Sequence, residues 1–247
     1  MRASAFEFRF RMAINAAIII LGFLSPWIDA WGWGQRIPLL EWLALELSRL
    51  GLVRFTAASP IVVVLAASIA AVGALFRVWG TAYLGPATVN SLQMKAGAVM
   101  ADGPYRFVRN PLYLGLWCMV AAMAFLMPLT GALVALALLT VFLFRLILGE
   151  EAFLASRLGE PYQNYLRAVP RLIPRFRNPL PSAGEQPHWL RAALVETTPV
   201  GVFVALAVFS WSYDNRLMVR VILIGFGISL IARAIIPGLL VSSNQLD

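Results

Sequence analysis

Residues 112–144 carry no charged side chain. A helix crosses the hydrocarbon of a bilayer with about 20 apolar residues, so this run is too long for one crossing and fits two short ones. It breaks at Pro128-Leu129-Thr130-Gly131, a proline/glycine turn signal. Residues 55–76 and 197–213 are also uncharged, and residues 221–241 hold only Arg233. A soluble domain carries about a quarter charged residues, whereas here 13% are charged and 60% hydrophobic. The pattern specifies an all-α, polytopic transmembrane helix bundle.

About six spans are expected: 12–31, 56–76, 111–127, 131–148, 194–213 and 218–241. The first follows Arg2, Arg9 and Arg11, and no small-residue cleavage site follows it, so it reads as a span and not a signal peptide. Residues 38–53 mix Leu40, Trp42, Leu43 and Leu47 with Glu41, Glu46 and Arg49, which predicts an amphipathic helix lying in the interface. The polar, proline-rich stretch 178–187 divides the chain. The expected organisation is 1–55 as an N-terminal span with the interfacial helix and 56–177 as a membrane core. Residues 178–193 follow as a linker and 194–247 as an added two-span region.

Net charge is +8, and Lys95 is the only lysine. The basic residues flank apolar spans, so anionic lipid headgroups are the expected partner and nucleic acid is not. With a cytoplasmic N-terminus, fourteen Lys and Arg face inward and five outward, which puts both termini inside. The expected setting is a bacterial cytoplasmic membrane with the site on its cytosolic face. One cysteine, Cys118, permits no intrachain disulfide, and one histidine, His188, makes a transition-metal centre an unfavoured reading.

Two constellations carry chemistry. The first is GPYRFVRNPLYLG, residues 103–115. Gly103-Pro104 turns the chain, and Asn110-Pro111 is a favourable cap and first turn for a span. That helix start offers amides and a positive dipole end to a carboxylate or phosphate. The same residues equally describe a capped membrane helix with snorkelling arginines. The second begins at Arg145 and runs through Glu150 and Glu151 into LASRLGEPYQNYLRAVPRLIPR, with a short helix expected over 154–166. Adjacent carboxylates at a membrane exit need a cationic partner, either a ligand or a neighbouring arginine. No G-x-G-x-x-G loop follows a strand, so the common soluble nucleotide-binding scaffold is absent.

Together, across a helical hairpin, these motifs resemble the isoprenylcysteine carboxyl methyltransferase and phospholipid methyltransferase superfamily, over residues 75–175. The resemblance implies S-adenosyl-L-methionine as cofactor in a pocket at the cytosolic face, and a lipid or lipidated small molecule as acceptor. It implies that Arg109, Asn110, Pro111, Tyr113 and Gly115 shape the cofactor pocket, with Tyr105 and Arg106 at its mouth. Glu150 and Glu151 would hold the cofactor's cationic part, and Arg145 and Arg109 would serve acceptor and methyl transfer. Tyr162, Tyr165 and Arg171 would close the pocket. The family usually has histidine where this chain has Asn110, which hydrogen-bonds but cannot shuttle protons near neutral pH.

A sulfonium donor needs no acid for its leaving group, and an ionised carboxylate acceptor needs no base, whereas a phospholipid amine must first lose a proton. Without a histidine in either constellation, isoprenylcysteine-type O-methylation is the favoured chemistry and phospholipid N-methylation the alternative. A sterol-reductase-like membrane reductase would instead bind NADPH. A non-enzymatic scaffold or transporter would bind neither, and would need mid-span polar residues, of which Arg233 and Asn15 are the candidates. The topology is checked by accessibility of introduced cysteines; labelling of position 102 from the outside alone overturns it.

Overall fold

The computed structural model describes residues 2–25, 37–84, 102–177, 180–182 and 184–243. Within these it is helical: α1 (Ala5–Arg9), α2 (Arg11–Leu24), α3 (Leu39–Arg49), α4 (Phe55–Leu84), α5 (Pro111–Ala124), α6 (Leu129–Leu158), α7 (Glu160–Ala168), α8 (Trp189–Val195), α9 (Thr197–Ser212) and α10 (Asn215–Ser243), with a 3-10 turn at Gly103–Arg106. The expected end of the first span (26–31), Arg36, Lys95 and parts of the 178–187 linker lie outside the described residues, as does the Arg233 side chain.

Two helices, α4 and α6, are long and apolar enough to cross a membrane, and the bent pair α8–α9 passes as a third. The chain is an integral membrane protein. The sequence predicted six crossings; among the described residues length and composition assign two or three. For α2 and α5 the difference lies in length. Helices α2 and α5 have 14 residues each, roughly 21 Å of rise against a hydrocarbon core of about 30 Å. By contrast α4 and α6 have 30 each. At 1.5 Å per residue they run roughly 45 Å, so both project beyond the apolar layer.

Those projections explain two corrections. Helix α4 continues past the expected end at 76 to Leu84 and carries Arg77 and Thr81 outward. Helix α6 continues past 148 through Glu150 and Glu151 to Leu158, replacing the expected short helix over 154–166. It stops at Gly159, whose φ of 63° is open to glycine at little strain. Helix α7 then doubles back, burying Tyr162, Tyr165 and Val169 against Leu154, Leu158 and Leu166.

Close packing fixes which helix ends meet. A side chain at Gly115 would press on Gly73 O at 2.8 Å and Arg77 N at 3.0 Å, so α4 and α5 cross backbone to backbone there. Near Gly80, Leu112 and Pro111 pack closely, placing the start of α5 beside the end of α4. Ala3 N donates to Arg145 O at 3.0 Å, which sets the N-terminal arm on the same end of α6. Helix α3 buries Leu40 and Ala44 and is held by Leu39 N and Leu40 N donating to Met127 O and Phe125 O. Its solvent side carries the Arg49–Glu46 pair.

Gly115→Ala should therefore destabilise the protein by about 1–3 kcal/mol, the range for overpacking. At Gly149 the nearest atoms to an added methyl stand at 3.5 Å or more, and Gly149→Ala should be close to neutral. Thermal unfolding of both variants in detergent checks the contrast, and equal melting temperatures would contradict it.

Candidate functional site

The site is assembled where the ends of α4, α5 and α6 converge. Its centre is Glu151, buried on α6. Arg109 Nη1 donates to its Oε1 at 2.9 Å. Arg171 donates through Nε and Nη2, the latter to Oε2 at 2.8 Å. Asn110 Nδ2 reaches Oε1 at 3.5 Å and Arg171 O at 3.1 Å. Two backbone bonds lash the returning segment to the first motif: Arg109 N to Pro170 O and Arg175 N to Phe107 O, both 2.9 Å. The two sequence constellations thus become one cluster, and Arg171 is held in its charged form by Glu151.

Glu150, one residue earlier, faces another direction. It is half-buried, and its charge is felt by the neighbouring Tyr113 phenol and by Arg11. Adjacent helical residues point about 100° apart, so the acidic pair is divided: one carboxylate braces the fold and the other faces the α5 surface.

Tyr105 and Tyr165 are buried, with Tyr165 OH donating to Tyr105 O at 2.9 Å. Burial pushes both phenols above their usual range, so they stay protonated. Tyr162 stacks obliquely on Tyr165 at 5.8 Å. Arg106 Nε donates to Leu180 O, next to Asp102, which binds the Ser182 hydroxyl and Glu185 N. Asp102 is only 1% exposed, so the introduced cysteine that reports this face is placed at the exposed Gln186 of the linker instead.

One expectation needs correcting. Asn110 occupies the capping position of α5, yet its side chain makes no capping bond. Capping requires an acceptor oxygen, and here the amide's donor side is drawn to Glu151 and Arg171 O. Arg145 was expected at the acceptor. The structure places it in a bidentate pair with Glu7 of α1, both bonds 2.9 Å. Gly115 lies in the α4–α5 crossing, and Pro111 is buried beside Gly80.

Sequence reasoning missed four residues: Arg77, Thr81, Glu196 and Glu7. Glu196, wholly buried at the 70° bend between α8 and α9, accepts from Arg77 Nε at 2.8 Å and Nη2 at 2.6 Å and from Thr81 at 2.7 Å. A lone charge at each border of an apolar run, Arg77 after 55–76 and Glu196 before 197–213, was the available signal. Glu7 gave a weaker one, the S-x-x-E capping box with Ser4.

Beside the cluster, an apolar cavity of about 200 Å³ lies between α5 and α6, lined by Tyr113, Leu114, Trp117, Thr140, Leu143, Phe144, Ile147 and Leu172.

Residues 61–160 match the family described as phospholipid methyltransferase. A 70-residue segment is 41% identical to methanethiol S-methyltransferase of Crocosphaera subtropica (strain ATCC 51142 / BH68), covering 28% of this chain and 27% of that protein. The match thus spans about a quarter of the relative's length. No solved structure matches significantly.

Arg145 holds Glu7 at a pKa of about 2, well below its ordinary 4.5, through hydrogen bonds assisted by the Ser4 amide. Because the folded value is the lower one, this stabilisation is present above about 4.5 and is lost as pH falls toward about 2. Arg145→Ala removes the tether at every pH, so the arm should already be loosened at neutral pH and its acid-dependent release should disappear. Limited proteolysis of the arm against pH checks this, and an unchanged profile in the variant would refute it.

Proposed function

We propose that this chain, an integral membrane protein whose residues 61–160 are of the phospholipid methyltransferase type, transfers a methyl group from S-adenosyl-L-methionine to an acceptor with a hydrophobic body. The observation that carries the reading is the division of the acidic pair. Glu151 is committed to Arg109, Arg171 and Asn110, while Glu150 turns to Tyr113 at the edge of the apolar cavity.

The residues fit this cofactor. Its amino and sulfonium groups are cationic, and Glu150 is a half-buried carboxylate. Among the described residues the buried Arg109 Nε–H has no hydrogen-bond partner, a donor suited to a carboxylate or hydroxyl oxygen of the cofactor. The cofactor supplies an activated methyl whose leaving group needs no acid. What the protein must do is align acceptor and methyl and exclude water. Tyr105, Tyr162 and Tyr165, all buried, form an apolar, protonated wall suited to that exclusion.

A lipid-like carboxylate remains the acceptor that needs no base. Binding it through an arginine requires Arg109 or Arg145 to release its present carboxylate. That both arginines are bridged favours a second reading, a neutral nucleophile such as a thiol. A thiol is partly ionised near neutral pH without a dedicated base, and the relative named above is called methanethiol S-methyltransferase.

Glu150→Gln should weaken adenosylhomocysteine binding by roughly 1.5–3 kcal/mol, the value of a hydrogen bond to a charged group, with little change in melting temperature. Glu151→Gln should instead lower the melting temperature, because Arg109 and Arg171 lose their counter-charge. Calorimetric titration and thermal unfolding of both variants test the division. Unchanged affinity in a folded Glu150→Gln variant would sink the assignment.

A further inference from the structure

We infer that the cavity between α5 and α6 holds the hydrocarbon chain of the acceptor, and that Trp117, fixed by Thr140, sets how long a chain it accepts. The inference rests on the methyltransferase reading above and adds a specificity-determining residue to it.

The cavity is continuous with the site. Tyr113 lines it and also faces Glu150. Ile147 lines it one helical turn before Glu150, and Leu172, next to Arg171, covers that end. From Ile147 the α6 lining runs through Phe144 and Leu143 to Thr140. These positions share one helix face, so they form a single wall leading away from the carboxylates.

The chemistry of the wall selects the occupant. Its lining is almost entirely carbon. The two polar groups at the far end satisfy each other: Trp117 Nε1 donates to Thr140 Oγ1 at 3.0 Å, and that hydroxyl donates to Leu136 O at 2.7 Å. No donor or acceptor there is left over to recognise a polar headgroup, so a hydrocarbon chain is the ligand that fits. Trp117 is 37% and Phe144 40% exposed on the flank of the bundle. In an integral membrane protein that flank meets lipid tails, so a chain reaches the cavity sideways.

Trp117 stands four residues beyond Tyr113 on the same face of α5, roughly 6 Å along the axis. Its indole is held across to α6 by the Thr140 bond. A chain lying with its head at Tyr113 therefore meets the indole as its end-stop.

The test uses the full-length protein in lipid nanodiscs and n-alkyl thiols of increasing length, whose small head adds little to the chain. Binding is titrated with and without adenosylhomocysteine, and empty discs are subtracted. For the wild type, affinity referred to free thiol in water should rise about fourfold per methylene and then stop rising beyond the gain seen in empty discs at a defined length. Trp117→Ala should move that break to longer chains. Thr140→Val, which keeps the volume but frees the indole, should shift it the same way by less. An identical break in wild type and both variants, or no saturable binding above empty discs, would overturn the inference and leave the cavity to ordinary bilayer lipid. Failure of the wild type to bind adenosylhomocysteine, with the chain-length break intact, would overturn the methyltransferase reading instead.

Discussion

A buried carboxylate at the end of a membrane helix is the constraint around which this protein is arranged. Glu151 leaves the apolar layer on α6 and is 7% exposed. An isolated charge in that position is prohibitively costly, so it must gather cations. It does so from two places distant in sequence, Arg109 before α5 and Arg171 after α7. Meeting that one need closes the chain into a loop. The first motif, the α5–α6 hairpin and the returning 170–175 segment are brought together, and Asn110 fills the remaining donor position.

The same physics recurs twice at this end of the bundle. Arg77 and Glu196 join α4 to the break between α8 and α9, and Arg145 and Glu7 join α6 to the N-terminal arm. Each pair ties a segment that composition alone would leave separate onto the projecting ends of the two long helices. The C-terminal helices are thus clasped to α4 by a wholly buried acid. His188 N also donates to Ala82 O, so the start of α8 is docked there as well. These pairs fix geometry more than they add net stability, since desolvation offsets much of their attraction.

The arrangement has a chemical consequence. Where Arg109 and Arg145 already pair with protein carboxylates, an anionic ligand that takes over either pair must compete with an internal partner. A cationic or apolar ligand meets no such competition. Glu150, turned away from that network, and the carbon-lined cavity next to it are the features that remain for ligands.

The helical membrane class was legible from the sequence because uncharged runs have few alternatives in a folded chain: 55–76, 112–144 and 197–213 each demand internally bonded backbone. The hairpin at Pro128 and the pairing of the two motifs were legible for the same local reason, turn chemistry and spacing. Helix ends were not. Past the apolar layer, whether α4 and α6 stop or continue depends on what packs against Arg77 and Glu151, and that lies far along the chain. Nor was the role of each charge legible. Glu150 and Glu151 are indistinguishable as adjacent letters, and only the direction of α6, set by its contacts with α2, α5 and the N-terminal arm, decides which one is braced. Arg145 shows the same rule: local sequence put it beside the acidic pair, while tertiary structure gave it Glu7. Sequence determined which segments are apolar and where charges stand; tertiary structure decided which charges meet, because ion pairing acts through space between residues 42 and 138 positions apart.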